Sequence, residues 1–296
     1  MKLLYYKDPK GNFGDDLNPW LWPQFFGEFK NTDPDVFLGI GSILYNDFPL
    51  LKNTELNKKI VFGTGIRPSY RPLIYDKSWD IKFLRGPLSA YAFNNEFEYI
   101  ADGAYAINLI KGLERFRNAE KKYAVSVMPY FKSMHYFNWE RICNDLGYHF
   151  ISPHSEKGVE DTLMEIASSK TIITEAMHGA ILADALRVPW SRFVFSTPHT
   201  EGGMVSEFKW MDWLYSIQIN RLNTTSVNLY RKNFPHIQIL NLSNKLLNVE
   251  FFIKSRVKTE LLKKLSTINN YYLSKDSMID TISDRINNKI EQLKQK

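Results

Sequence analysis

Short apolar runs alternate with amphipathic segments through the first two thirds of the chain. The runs lie at 2–6, 36–38, 59–62 and 81–84, and again at 123–128, 148–152, 171–174 and 190–195, and most of them end in glycine or polar turns. The segments between them carry apolar residues at helical spacing, and alternating strands and helices are typical of a parallel sheet. The pattern therefore predicts an α/β protein of Rossmann type, with its functional loops at the carboxyl ends of the strands.

A charged and weakly apolar stretch at 109–122 separates two halves of similar pattern, and it is the predicted linker. A chain of 296 residues is long enough for two domains of ordinary size. We predict an N-terminal Rossmann-like domain over 1–117, a second over 118–275, and a C-terminal helix over 276–296 that packs back on the first domain.

The last quarter of the chain has a different character. Residues 220–247 are rich in asparagine and predict no regular element, whereas helical spacing returns from 249, with a final helix expected over 277–294. The simplest interpretation is a pair of surface helices packed on the core. The alternative is that their basic residues face a membrane.

Composition narrows the classes of partner and the compartment. Hydrophobic residues make up 44% and charged residues 24%, as in a folded globular protein, and the net charge of +6 is concentrated after Lys254. This favours an anionic surface or a pyrophosphate-linked substrate over a nucleic-acid groove, so no nucleic-acid partner is expected. A single cysteine, Cys143, fits a reducing cytoplasm. The apolar start is too short for a signal-peptide core and no apolar run reaches about 18 residues, so we expect at most peripheral contact with the inner membrane surface.

The strongest chemical signal is the stretch 171–189. It reads as a buried strand, a polar elbow and an alanine-rich helix, which would present His178 at the carboxyl end of a strand. The alternative is a core histidine with its hydrogen bonds satisfied. A similar strand-to-helix junction carries Arg85, whose guanidinium could hold a carboxylate or phosphate beside free helix N–H groups. The alternative there is a structural salt bridge, for example to Asp102.

Seven short motifs occur in order over residues 1–215. They are NFGDDL at 12–17, GIGS at 39–42, FGTG at 62–65, LRGPLS at 84–89, ADGA at 101–104, MHGA at 177–180 and KWMDW at 209–213. Taken together they resemble the polysaccharide pyruvyl transferases, in particular the shorter branch similar to exopolysaccharide ketal-pyruvate transferases. That resemblance implies a glycosyltransferase-B-like fold, in which two Rossmann-like domains face a cleft, with the acceptor on the N-terminal side and the donor on the C-terminal side.

The resemblance also implies a chemistry. The donor would be phosphoenolpyruvate, with no further cofactor, and the acceptor a sugar of a capsule or other exopolysaccharide or of its lipid-linked precursor, met at the cytoplasmic face of the membrane. The product would be a pyruvate ketal. Since no cluster of His, Cys, Asp or Glu has the spacing of metal ligands, we expect the transfer to be metal-independent.

Candidate site residues follow from the matched motifs. His178 would contact the phosphate and give or accept a proton. Arg85 would bind the donor carboxylate, and Lys209 would bind the phosphate. Asp15 or Asp16 would take protons from the attacking hydroxyls, although an aspartate at this position is more often a helix cap. Further loop or acceptor contacts are expected from Asn12, Gly14, Gly41, Ser42, Gly65 and Glu175.

Two other functions remain open on the sequence. A sugar-nucleotide-dependent glycosyltransferase could use the same two-domain architecture. A non-catalytic carbohydrate-binding protein of a polysaccharide assembly machine could use it too, but it would not need Arg85, His178 and Lys209 to converge on one pocket. Their relative positions are therefore the test.

Overall fold

Two parallel sheets organise the protein. The computed structural model describes residues 1–46, 48–52, 54–68, 73–154, 156–228 and 249–295. Within them, the first sheet has the order β1-β2-β3-β4, and the second has the order β6-β5-β7-β8-β9. Neighbouring strands in both sheets pair in parallel, so the predicted α/β class is confirmed. The strands are β1 (Lys2–Leu3), β2 (Val36–Leu38), β3 (Lys59–Phe62), β4 (Trp79–Phe83), β5 (Tyr123–Met128), β6 (His149–Phe150), β7 (Ser169–Thr174), β8 (Trp190–Val194) and β9 (Thr225–Ser226).

Helices connect the strands and cover the sheets. The α-helices are α1 (Phe13–Leu21), α2 (Pro23–Phe26), α3 (Pro87–Tyr91), α4 (Glu114–Arg117), α5 (Trp139–Leu146), α6 (Val159–Ala167), α7 (Met177–Ala185), α8 (Gly203–Ser216), α9 (Val249–Ser266) and α10 (Asp276–Lys294). Tighter 3₁₀ turns lie at Pro49–Leu51, Gly103–Leu109 and Phe131–His135, and a π-helical turn at Pro198–Gly202 precedes α8.

Neighbouring strands end at nearly the same level. In the second sheet Met128 at the end of β5 pairs with Thr174 at the end of β7, and in the first sheet Leu38 at the end of β2 pairs with Val61. The residues that follow these strands therefore emerge side by side at one edge of each sheet, which is where the candidate side chains lie.

A continuous hydrophobic cluster joins the two sheets. Aromatic rings dominate it on the side of the first sheet, where Trp22 lies 5.2 Å from Phe37 and Phe62 lies 4.8 Å from Phe83, measured between ring centroids. The same cluster continues to Trp190 and the helices of the second half. Burial of rings of this size supplies much of the driving force for folding, so the cleft between the sheets has a well-packed base.

The apolar faces of the two C-terminal helices are packed against the rest of the protein. Buried residues of α9, among them Leu261 and Leu265, pack with strands of the second sheet, and Ile282 and Ile286 of α10 join the central cluster. On α10, Arg285 also pairs with Glu98 of the N-terminal half, as does Lys289. These contacts fit helices packed on a core. The predicted domain boundaries themselves remain predictions.

The structure differs from the sequence predictions at several elements. The stretch 109–122, predicted as a linker, contains α4, and its residues Ile110, Leu113 and Phe116 are buried in the central cluster. The strands predicted at 2–6 and 148–152 are shorter, and Thr225–Ser226 adds an edge strand within the segment expected to be irregular. The rest of that segment, at 229–248, lies outside the described residues.

Candidate active site

A cavity of about 250 Å³ is lined by residues from the carboxyl ends of both sheets. In the second sheet it lies beside β5 and β7, where the strand order reverses because β6 lies on one side of β5 and β7 on the other. Ligands of open α/β sheets bind at such switch points. The lining residues are Tyr6, Asn12, Phe13, Gly14, Asp15, Gly41, Ser42, Ile43, Tyr45, Phe48, Arg67, Met128, Tyr130, Phe131, Lys132, Pro153, Ala176, Met177, His178, Glu201 and Lys209.

His178 lies in the first turn of α7, directly after β7, and is held between the two halves of the chain. A Cβ atom on Gly14 would lie 2.1 Å from its Nδ1, so only glycine leaves room for the ring there. On the other side, Nε2 lies 3.7 Å from Oδ1 of the buried Asp102, too far for a hydrogen bond. Nε2 and the Asp102 Oδ2 atom are buried without a hydrogen-bond partner among the described residues. The carboxylate can thus orient the ring, and pair with it when the ring carries a second proton.

Asp15 supplies a buried carboxyl group to the same cavity. It lies in the first turn of α1 and is 9% exposed, and its Oδ2 accepts a hydrogen bond of 2.5 Å from Asn12 Nδ2. Burial raises the pKa of Asp15 to about 6, although His178 and Lys209 oppose this rise. A carboxyl group that titrates near neutral pH can both give and take a proton, as general acid-base catalysis requires.

Positive charge gathers on the other wall of the cavity. Lys209, from α8, forms an ion pair of 2.6 Å with Glu201, and both line the cavity. Burial alone would raise the pKa of Glu201, but Lys209, Arg67 and Lys132 together hold it below its usual range. The cavity therefore presents three cationic side chains against two carboxyl groups, those of Glu201 and Asp15, and this surplus of positive charge suits an anionic ligand.

Arg85 lies behind the cavity wall and does not line it. Its side chain is fully buried, with Nε 3.0 Å from Asp212 Oδ2, and its Nη1 donates to Ser42 Oγ at 2.6 Å and to the Gly41 carbonyl at 3.3 Å. The alternative of a structural salt bridge is thus what the structure shows, but the partner is Asp212. Asp102, which the sequence suggested, lies beside His178 instead. Arg85 supports the Gly41–Ser42 turn, which does line the cavity.

Three other candidates lie outside the lining. Glu175 is buried and accepts hydrogen bonds from the backbone N–H groups of Tyr130, Phe195, Ser196 and Thr197 and from the Ser133 hydroxyl, so it fastens the loops that follow β5 and β8. Gly65 lies against the Arg85 guanidinium, where a Cβ atom would be 2.3 Å from Nη2. Asp16 accepts the Asn12 backbone N–H at the start of α1, as a capping carboxylate does.

Of the three residues whose convergence was the test, His178 and Lys209 line this one cavity, whereas Arg85 lies behind its wall, so the expected convergence is met by two of the three. Asp15 joins them in the cavity, and Asn12, Gly14, Gly41 and Ser42 lie around them. Sequence reasoning did not assign Arg67, Tyr130, Lys132 and Glu201, which also line the cavity. Arg67, Tyr130 and Lys132 follow closely after β3 and β5. The rule that located His178, a polar residue just beyond a strand's carboxyl end, would have found them too.

Comparison with known proteins gives the family. The model of the family "Polysaccharide pyruvyl transferase" matches residues 2–193. The chain belongs to this family. It is also 37% identical over 222 residues to the succinoglycan biosynthesis protein ExoV of Rhizobium meliloti (strain 1021). That match covers 74% of this chain and 66% of the relative, so the chain spans slightly less than two thirds of the relative's length.

Among solved structures, one of the wall teichoic acid polymerase TagF matches with a TM-score of 0.38 and 9% identity, over 100% of this chain and 89% of that one. A similarity at this level supports no argument about the fold or the function of this family member.

Within the described residues, no group of three or more His, Cys, Asp and Glu side chains is arranged to hold a metal ion. Nor does any helix of the described part of the chain combine the length and apolar character that crossing a bilayer requires.

Proposed function

We propose that the protein transfers the pyruvyl group of phosphoenolpyruvate to a sugar of a surface polysaccharide or of its lipid-linked precursor, forming a pyruvate ketal and releasing phosphate. Membership of the pyruvyl transferase family supports the reaction class. The observation that carries the proposal is the convergence of His178, Lys209 and Asp15 in one cavity, with Arg67 and Lys132 beside them. A small trianion such as phosphoenolpyruvate needs this density of positive charge.

The reaction makes defined demands on the site. The methylene carbon of the enol gains a proton and becomes a methyl group, and the central carbon forms bonds to two sugar hydroxyl oxygens while its bond to the phosphate oxygen breaks. The two hydroxyl protons balance the equation, one ending on the methyl carbon and one on the released hydrogen phosphate. Groups that give and take protons near neutral pH are therefore required on both sides of the central carbon.

Asp15 and His178 line the cavity and are the groups to which we assign these proton transfers. In our proposal Asp15, with a pKa of about 6, takes the proton of the attacking hydroxyl, and His178 contacts the phosphate and exchanges a proton with the reacting centre. Lys209 binds the phosphate. Because Arg85 lies behind the cavity wall, we assign the donor carboxylate to Arg67 or Lys132, and give Arg85 the role of positioning Ser42.

We further propose that the two sheets are the cores of two Rossmann-like domains of glycosyltransferase-B type, with the acceptor on the first and the donor on the second. The cavity lined from both sheets supports this arrangement. The transfer needs neither metal nor further cofactor in this proposal. A lipid-linked acceptor would bring the enzyme to the cytoplasmic face of the membrane as a peripheral protein.

Isothermal titration of phosphoenolpyruvate tests the donor assignment. We expect saturable binding to the wild-type protein that His178→Ala and Lys209→Ala each weaken by about tenfold or more, since each removes one of the contacts to an anion. Lys111→Ala is the matched control, because Lys111 is exposed and does not line the cavity. Arg85→Ala reports whether the support of Ser42 matters for the donor.

The alternatives give different titrations. A glycosyltransferase would bind a nucleotide sugar and not phosphoenolpyruvate, and that outcome would replace the donor assignment. A carbohydrate-binding assembly protein would bind a saccharide but neither phosphoenolpyruvate nor a nucleotide sugar. His178→Ala would then leave the affinity for the saccharide unchanged.

A further inference from the structure

A second cavity, of about 220 Å³, adjoins the first. The two share Phe131 and Lys132, which follow β5, so the same two side chains border both cavities. The remaining lining residues are Asp8, Lys10, His135, Tyr136, His154 and Thr200. None of them was assigned a role by the family motifs.

The wall of the second cavity is fixed by contacts between the two halves of the chain. His154 is 7% exposed, and its Nδ1 lies 2.9 Å from the Gly11 carbonyl oxygen. Gly11 has a φ of 81°, and a Cβ atom there would lie 2.5 Å from the His154 carbonyl oxygen. The loop that carries Asp8 and Lys10 is thus held against the second half, so the cavity is a preformed feature of the fold.

Its polar groups have hydrogen-bonding capacity to spare. The Lys132 ammonium lies 3.5 Å from the Thr200 carbonyl and forms no ion pair within the described residues. Asp8 uses Oδ1 to accept the Lys10 backbone N–H, and the Lys10 side chain is exposed. Cations, an imidazole and a carboxylate around one cavity offer both donors and acceptors, which suits the alternating hydroxyl groups of a sugar.

The second cavity is also lined by an exposed aromatic ring, that of Tyr136. Tyr136 is 36% exposed, and it meets Phe195 in an edge-on contact with centroids 5.6 Å apart and an interplanar angle of 83°. An aromatic ring exposed in a cavity offers a flat apolar surface, while its hydroxyl stays available for hydrogen bonding. This is the surface that the C–H face of a sugar ring packs against.

We propose that the second cavity is a saccharide subsite that binds the sugar next to the one being pyruvylated. The inference rests on the proposed function, which puts the reacting sugar in the first cavity. It extends the acceptor from the first domain onto the second, because six of the eight residues that line the second cavity belong to the second half of the chain. An acceptor longer than one sugar must then extend beyond that cavity, and in this proposal its neighbouring sugar passes Phe131 and Lys132, which border both cavities, and lies beside His135 and Tyr136. The subsite would make the enzyme prefer acceptors of two or more sugars.

The test compares acceptors of different length. Phosphate release from phosphoenolpyruvate is measured with methyl glucoside and cellobiose, and with methyl galactoside and lactose, using whichever pair the wild-type enzyme accepts. In Tyr136→Ala and His135→Ala we expect the disaccharide KM to rise by about three- to tenfold, while kcat and the monosaccharide KM stay unchanged. Tyr136→Phe keeps the ring and should behave like the wild type.

Tyr91→Ala is the matched control, since Tyr91 is 75% exposed and lines neither cavity. Equal KM changes for monosaccharide and disaccharide, or no change for either, would overturn the subsite. A third result would also overturn it: His135→Ala leaves the disaccharide KM unchanged but weakens the binding of inorganic pyrophosphate. The cavity would then be an anion site.

Failure of the proposed function is distinguishable. It would appear as a wild-type enzyme that consumes no phosphoenolpyruvate with any acceptor. In that case calorimetric titration of the disaccharide into wild type and Tyr136→Ala still tests the subsite, and equal affinities would refute it.

Discussion

Replacing Asp15 by asparagine should make the protein more stable at alkaline pH. The Asp15 carboxyl is buried against Asn12 and carries a pKa of about 6 in the folded protein, against an ordinary value of 3.8. The folded state therefore holds this proton more tightly than the unfolded state does. Stability falls as pH rises from 3.8 to about 6, where the unfolded chain loses the proton first.

The size of the effect follows from the difference in pKa. A difference of about 2 pH units at 1.36 kcal/mol per unit corresponds to about 3 kcal/mol, fully expressed above pH 6 and absent below pH 3.8. An asparagine side chain has nearly the same shape as aspartate and carries no charge, so Asp15→Asn should raise the free energy of unfolding by up to about 3 kcal/mol at pH 8 and leave it nearly unchanged at pH 4.

Urea unfolding followed by tryptophan fluorescence at pH 4, 6 and 8 measures this difference, because groups common to both proteins cancel. Asp16→Ala is the control on the next residue: it removes the carboxylate that caps the Asn12 N–H, so this variant should lose stability rather than gain it. If Asp15→Asn shows the same stability change at pH 4 and pH 8, the Asp15 carboxyl does not have a raised pKa in the folded protein, and its role as a base near neutral pH loses its support.

Three further substitutions test the supports of the site. Asp212→Asn should lower the free energy of unfolding by about 3–5 kcal/mol, because it leaves the buried Arg85 charge without its partner, and denaturant unfolding will measure the loss; a loss below about 1 kcal/mol would contradict the ion pair. Glu175→Gln should cost about 3 kcal/mol in the same assay, since an amide cannot accept from all of its present donors, and a neutral outcome would refute the fastening role. Gly14→Ala should reduce phosphate release by at least about tenfold in a stopped assay by displacing the His178 ring, whereas wild-type activity would show that the ring tolerates the methyl group.

The alternation of strands and helices was predictable because each element buries a set of apolar residues whose spacing can be recognised in the sequence. The limits of β2 and β3 coincide with apolar runs that end at glycine, and those of β5 with a run that ends at Pro129. Shorter edge elements were less predictable. The run at 2–6 pairs only at Lys2–Leu3, since strand length depends on the neighbouring strand and not on the run itself.

Site residues were predictable where they directly follow a strand, because their position in the sheet then places them at its carboxyl edge. His178 follows β7, and Asp15 lies in the loop-to-helix segment after β1, so both could be expected at the carboxyl edges. The pairing of Arg85 could not be inferred in this way. Its partner Asp212 is 127 residues away on α8, and only the packing of α3 against α8 brings the two together.

One labelled substrate tests the transfer of the pyruvyl group most directly. Phosphoenolpyruvate carrying ¹³C at its central carbon is incubated with the enzyme and a saccharide acceptor, and the product is examined by carbon NMR while phosphate is measured in parallel. We expect the label to move from an unsaturated enol carbon to a saturated carbon bonded to two sugar oxygens, with one phosphate released per ketal and with loss of both signals in His178→Ala. Phosphate release with all of the label recovered as free pyruvate, or no consumption of the donor by the wild-type enzyme, would contradict it.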